Sequence, residues 1–367
     1  MNEIFFELIR ISIGTQLSLS RQISSKEWSA LYEMAKKQSL IGVCFAGVQK
    51  LCNSGTSDYC GMSVFQYRTW MGMAAKIQQR NEMVNRQCVE LQKKLSADGF
   101  RSCILKGQSN LPYYVEIGML RQSGDIDVWL EGGYHRIVEY VQRVSPTNEI
   151  NQHHTRFNIY SNTEIELHFY PLQLNNPIKQ RVLGKFCNSQ LDKCMENRIT
   201  LKDDIEINAA TIDFNLVFQL MHIYHHLFTE GIGLRQLMDY YFILKSFSCS
   251  HLKAETDLVK NVVHELELDR FASALMWVIN IVFVGHENSY FGIDANAEEG
   301  KYVLELIMEG GNFGHAKKRH KKHSHKGAMM DMVRHSAHLA LHYGQEALWA
   351  PVWHVYHFFW KRTLGRN

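Results

Sequence analysis

Proline is scarce in this chain, five residues in 367, and glycine is moderate at 24. That composition excludes a collagen-like or proline-rich extended chain. With 46% hydrophobic residues there is apolar material for two or three packed units. The eight cysteines (Cys44, Cys52, Cys60, Cys88, Cys103, Cys187, Cys194 and Cys249) form no Cys-x-x-Cys pair. In a chain of this length, that pattern speaks against a disulfide framework or a zinc ribbon. No apolar run is long enough for a bilayer. The longest, Phe271 to Gly285, is broken early by polar residues and falls short of the ~20 that a spanning helix needs. The first residues, MNEIFFELIRISIG, carry acids early and lack a basic leader, so they do not read as a signal peptide. These absences predict a soluble cytoplasmic protein with no membrane partner.

Acidic residues are missing between Glu309 and Asp331, where Lys317, Lys318, Arg319, Lys321, Lys322 and Lys326 cluster. Those six basic residues create the whole net charge of +3, the remainder standing at about −3. The glycine-bounded segment around 315–326 reads as a solvated loop, or else as a polyanion-binding one. Only Phe313 lies near it, so stacking on single-stranded nucleic acid has little support. Nucleic acid is therefore a weakly supported partner.

Residues 1–95 read as a helical region. Glu3–Ile13 is apolar on most sides, and a helix with a serine cap begins near Ser25. A long helix follows, with Trp70, Met73, Ile77, Val84, Leu91 and Leu95 on one stripe, which is read as core. From Phe100 the period changes to β-α-β-α: a strand at Ser102–Leu105, a helix at Gln108–Ile117, a strand at Asp125–Leu130 and a helix at Tyr134–Arg143. His154–Tyr160 and Glu164–Tyr170 then form a hairpin around Ser161-Asn162. After Pro177 the chain is expected to be helical to its end, with boundaries at 96–180 for the β-containing core and 181–367 for the C-terminal region.

Chemistry concentrates in the core. In a strand opening Asp125-Ile126-Asp127, the two acids share one face and Ile126 and Val128 the other. Paired carboxylates at the mouth of a buried strand are relieved by a divalent cation, and two such ions suit phosphoryl transfer. Ahead of them stands the Ser123-Gly124 turn, whose N–H groups can face a phosphate. Further upstream is Lys106-Gly107, where Lys106 is either a solvated end-of-strand lysine or a partner for triphosphate oxygens. Arg121 is open to two readings, positioning the aspartate loop or binding phosphate. In TEIELHFY, Glu164, Glu166 and His168 share one strand face. His222 and His226, at i and i+4, have metal-chelating spacing but lack the glutamate of His-Glu-x-x-His. Arg235 and Asp239 have the spacing of an intrahelical ion pair, the alternative being that Arg235 or His222 faces the cleft and touches nucleotide. His335, His338 and His342 read as partly exposed packing residues.

Lys106-Gly107, Arg121, Ser123-Gly124-Asp125-Ile126-Asp127 and Glu166-Leu167-His168 together resemble the DNA polymerase β-like nucleotidyltransferase superfamily. They are closest to its uncharacterised bacterial branch, in which Leu-Lys-Gly stands where other members carry Gly-Ser. The resemblance covers roughly Lys93–Tyr170 and extends, less specifically, to His222–Tyr241. It implies an α+β fold, a small mixed-sheet polymerase β-like nucleotidyltransferase core flanked by helical N- and C-terminal regions. It also implies Mg2+, with Mn2+ as the alternative ion, held by Asp125, Asp127 and Glu166. A nucleoside triphosphate would be contacted by Lys106, Gly107, Arg121, Ser123, Gly124, His168 and Arg235. The implied reaction moves NMP to a hydroxyl of a small-molecule or protein acceptor. A non-catalytic nucleotide- or polyanion-binding protein on the same fold, and a helical scaffold with an incidental Asp-x-Asp, are the other readings.

Overall fold

The structure, a computed structural model, describes residues 1–53, 61–229, 231–250, 253–288, 292–311 and 349. The basic segment 315–326 and His335, His338 and His342 lie outside the described residues.

The N-terminal region is helical: α1 (Asn2–Ile13), α2 (Ser25–Lys37), α3 (Ile41–Asn53) and α4 (Val64–Ala97). Capping boxes start α2 and α4. Ser24 with Glu27, and Ser63 with Gln66, satisfy amide groups that a helix start leaves unpaired. The cap of α2 is thus one residue earlier than expected. Along α4, Trp70, Ala74 and Ile77 enter one core, while Val84, Cys88, Leu91 and Leu95 enter a second. At 34 residues, or about 50 Å of helix, α4 is the strut that joins them.

The second core is built on a four-stranded sheet of β1 (Ser102–Ile104), β2 (Ile126–Leu130), β3 (His154–Arg156) and β4 (Ile165–His168), in the order β1-β2-β4-β3. β1 and β3 run antiparallel to their neighbours, and β2 and β4 run parallel. Alternation sorts the faces. Ile126, Val128, Leu130, Ile165 and Leu167 pack with α4 and with α5 (Gly133–Val144), and Trp129 joins the helical core instead. Asp127 therefore points to the face opposite Ile126 and Val128.

Two expectations are corrected. Gly107–Leu120 is a 3-10 segment, kinked at Val115, rather than one regular helix. Pro112 inside it lacks the N–H that an α-helix interior uses. The chain after α6 (Pro177–Glu196) is not purely helical either. β5 (Arg198–Thr200) and β6 (Glu206–Asn208) form an antiparallel pair. Gln92 on α4 holds that pair to the sheet, its side-chain amide donating to the carbonyls of Ser102 and Asn208. The remaining described helices are α7 (Ile212–Thr229), α8 (Leu234–Ser250), α9 (Lys253–Glu265), α10 (Asp269–Ile279), continued by a π turn to Val284, and α11 (Ala297–Gly310). Among the described residues, no helix is long and apolar enough to cross a membrane.

Candidate active site

Parallel pairing of β2 with β4 puts Asp127 directly opposite Glu166, and Trp129 opposite His168. The carboxylates thus sit side by side on one sheet face, as a strand paired beside Asp-x-Asp would place them. Asp127 is fully buried at its side chain, whereas Glu166 keeps 21% exposure. His168 Nε2 lies 3.0 Å from Asp127 Oδ1 and 3.6 Å from Glu166 Oε2. Lys106 Nζ forms an ion pair with Asp127 Oδ2 at 3.2 Å. Asp127, Glu166 and His168 offer three ligand atoms within 4.8 Å of one another.

The electrostatics are mutual. Burial alone would drive each group towards neutrality. For Asp127, burial is overcome by Lys106 and His168, and its carboxyl is held below the usual carboxylate range. For Glu166, burial is overcome by His168, His154 and Lys106, which bring it to about 2. His168 is likewise desolvated, but hydrogen bonding to Asp127 and Glu166 lifts it to about 9. Lys106 is desolvated too, and Asp127, Asp125 and Glu166 hold its ammonium above its ordinary value. Its Nζ also meets His222 Nε2 at 3.1 Å. Burial and the Lys106 charge push His222 well down, so a neutral ring accepts from the ammonium.

Asp125 does not join the three-ligand group. It stands half-buried just before β2, and its charge acts on Lys106 and Arg235. Gly107 has φ +65°, a conformation that favours glycine, and this turns the chain directly after Lys106. Ser123 Oγ is buried without a hydrogen-bond partner, next to the exposed Gly124. Arg80 from α4 donates to the carbonyls of Gly124 and Asn162, tying this turn to the β3–β4 loop.

The two arginines exchange their expected parts. Asp239 does not pair with Arg235 along α8. It forms a bidentate pair with Arg121, Nε to Oδ1 and Nη2 to Oδ2 both at 2.6 Å, and Tyr114 donates to Oδ1 at 2.5 Å. Arg121 is 4% exposed and its guanidinium is committed, so it positions the aspartate loop. Arg235 is left facing that loop. It donates through Nη1 to the Gln122 carbonyl at 2.7 Å, its Nε has no partner, and burial lowers its pKa. A Cβ on Gly124 would lie 3.8 Å from its Nη1.

Two residues at this centre carry no signal of their own in the sequence. His153 and His154 precede and open β3, and register sets His154 beside His168. His154 Nε2 lies 3.6 Å from Glu166 Oε1. The adjacent His-His at the start of a strand next to Glu-x-His was the available clue. By contrast, His222 and His226 belong to no three-ligand group among the described residues.

An acidic pair at the centre of a small mixed sheet, with a lysine against it and a serine-glycine turn just ahead of its strand, is the layout expected of a nucleotidyltransferase. Residues 24–284 match the model of a family described as uncharacterised nucleotidyltransferase, and the chain belongs to that family. Among solved structures, it is similar to an antigenic nucleotidyltransferase-like protein from Paracoccidioides brasiliensis. The two share 14% identity, with 52% of this chain and 91% of that one covered at a TM-score of 0.29. No curated protein matches the chain.

Proposed function

We propose that the protein transfers a nucleoside monophosphate from a nucleoside triphosphate to a hydroxyl of a small-molecule or protein acceptor, releasing pyrophosphate, with Mg2+ or Mn2+ as its ion. The observation that carries this reading is the in-register pair of Asp127 and Glu166, whose oxygens lie with His168 within 4.8 Å of one another beside the Lys106 ammonium. The donor set fits a hard divalent cation, which prefers carboxylate oxygens and water. Asp127 and Glu166 would hold it, with Asp125 at the rim. When bound, such an ion neutralises charge at the α-phosphate and acidifies the acceptor hydroxyl.

The chain's own groups do the rest. Lys106 meets the triphosphate as a point charge, and Gly107 gives the turn that presents it. Ser123 Oγ, the Gly124 backbone and the Arg235 guanidinium line the other side of the phosphates. His168 holds Asp127 ionised and oriented, and Arg121 fixes the loop through Asp239. The acceptor hydroxyl gives its proton to solvent and its oxygen bonds to the α-phosphorus as the bond to the β-phosphate bridging oxygen breaks, and pyrophosphate leaves with that electron pair. Glu166, at about 2, is ionised at neutral pH and a poor base, so its better role is as ligand.

Incubation with each α-labelled NTP and Mg2+, beside Asp127→Ala, tests the proposal. Label that moves to protein or extract and vanishes in the variant supports it, and transfer that persists in Asp127→Ala overturns it. A second reading has its own observation. Asp127 is already engaged by Lys106 and His168, which compete with a metal. A nucleotide-binding protein without chemistry would show affinity for a non-hydrolysable NTP that Mg2+ leaves unchanged.

A further inference from the structure

We propose that His153, His154 and His168 form a zinc site beside the carboxylate pair, a second cation site of different donor chemistry. Three imidazoles converge here. Ring centroids lie 4.4 Å apart for His153–His154, 5.1 Å for His154–His168 and 5.5 Å for His153–His168. One ring nitrogen from each falls within 4.8 Å of the other two. His154 Nδ1 and His153 Nε2 face each other at 2.9 Å. Tetrahedral zinc with Zn–N bonds of about 2.0 Å needs nitrogens roughly 3.3 Å apart, so the His153–His154 pair needs to open by only a few tenths of an ångström, while His168 closes in from within 4.8 Å.

The surroundings hold two of the rings, His168 and His154, as metal-bound histidines are usually held, by a partner on the opposite nitrogen. His168 has Nε2 on Asp127 Oδ1, and its Nδ1 is buried with no hydrogen bond. Asn151 meets His154 Nε2 at 2.8 Å. With the amide oxygen turned to that nitrogen, Nε2 carries the hydrogen and Nδ1 presents its lone pair towards His153. His153 and His154 are not fully buried, the His154 side chain keeping 12% exposure, so the pair reaches the surface. Any proton on a coordinating nitrogen leaves to solvent as the ion binds.

Imidazole selects zinc and its borderline neighbours, while carboxylate and water suit Mg2+ and Mn2+. The two sites share His168, which touches Asp127 on one side and the histidine pair on the other, so the same centre can sort two ions. The inference does not depend on nucleotidyl transfer, and its test reads no activity.

Full-length protein stripped with a chelator is dialysed against Zn2+ in excess Mg2+, and bound zinc is counted by mass spectrometry. The expected result is about one zinc per chain. His153→Ala and His154→Ala each remove a ligand and should weaken binding at least about ten-fold, and by more than Glu166→Gln, which removes only a charge 3.6 Å from His154 and His168. No zinc uptake by the unaltered protein overturns the proposal. So does a loss in Glu166→Gln equal to that in the histidine variants, which would put the zinc on the carboxylates. Should the variants misfold, the unaltered protein decides: zinc should block diethylpyrocarbonate modification of His153 and His154, and unchanged modification of both rings overturns the assignment.

Discussion

Two buried charge clusters flank the Gln122–Asp125 turn in sequence, and they are built to opposite specifications. In one, Arg121, Asp239 and Tyr114 saturate each other at hydrogen-bond distance, with both charged side chains under 5% exposed. In the other, Lys106, Asp127, Glu166 and His168 crowd together, yet His168 Nδ1 has no hydrogen bond and Glu166 keeps 21% exposure. A closed cluster has nothing left to offer a ligand and serves to fix a loop. An open one keeps lone pairs and charge in reserve, which is what a substrate or ion needs. The difference teaches where to look for chemistry: a buried charge matters less than whether its neighbours have already used it up.

The comparison breaks most visibly at Asp239. Asp239→Ala leaves Arg121 buried and unpaired, so unfolding in denaturant should show a loss of about 3–5 kcal/mol. If the loss is under about 1 kcal/mol, the cluster is not the clamp described. Asp127→Asn should cost stability too, because Lys106 and His168 lose their nearest carboxylate, but less than Asp239→Ala, since Glu166 stays beside both and Asn can still accept a hydrogen bond. Labelled-nucleotide transfer should fall by about 10²–10³-fold, the scale of removing a group that stabilises transition-state charge.

Gly107→Ala is a smaller probe. Its Cβ would have room, the nearest atom being the Asp125 carbonyl oxygen at 3.8 Å, so only the φ of +65° resists. The expected cost is about 1–2 kcal/mol in thermal or chemical unfolding, accompanied by weaker nucleotide affinity as Lys106 is re-aimed.

The finest test is pH dependence of the metal-free protein. His168 is held at about 9 against an ordinary 6.5, so the stability it contributes is complete below pH 6.5 and lost as pH climbs through 9. His154 is held at about 4, chiefly by burial. Between pH 6.5 and 4 the unfolded chain takes up a proton that the folded ring refuses, so stability falls as pH drops through that window. Together these two groups place their combined optimum near pH 6.5. In Asp127→Asn the alkaline loss should shrink, and histidine NMR titrations should show His168 moving down while His154 stays neutral at pH 6.

Much of the strand layout around Asp127 and Glu166 was legible in the sequence. Asp-x-Asp, Lys-Gly, Ser-Gly and Glu-x-His carry chemistry at fixed local spacing, and period-two alternation assigns their faces. The strands β1, β2 and β4 and the helix α5 follow the same local signals, to within a residue or two at their ends. Other features were hidden because they join distant segments. Asp239 reads as Arg235's partner at i, i+4 until α8 packs against the Arg121 loop and offers a better-placed cation. The β5–β6 pair is short and polar at Glu206 and Asn208, and its tie to Gln92 crosses more than a hundred residues. His153 and His154 are an unremarkable dipeptide until β3 pairs with β4.

The sequence by itself determined the class of chemistry, because donor types and their alternation on a strand are properties of the local chain. Which carboxylate stands beside which, which arginine is spent and which is free, and how three histidines meet were decided by the tertiary structure alone. Strand register and helix docking bring together residues that no local spacing relates, and charge at a buried site is set by whatever those contacts supply.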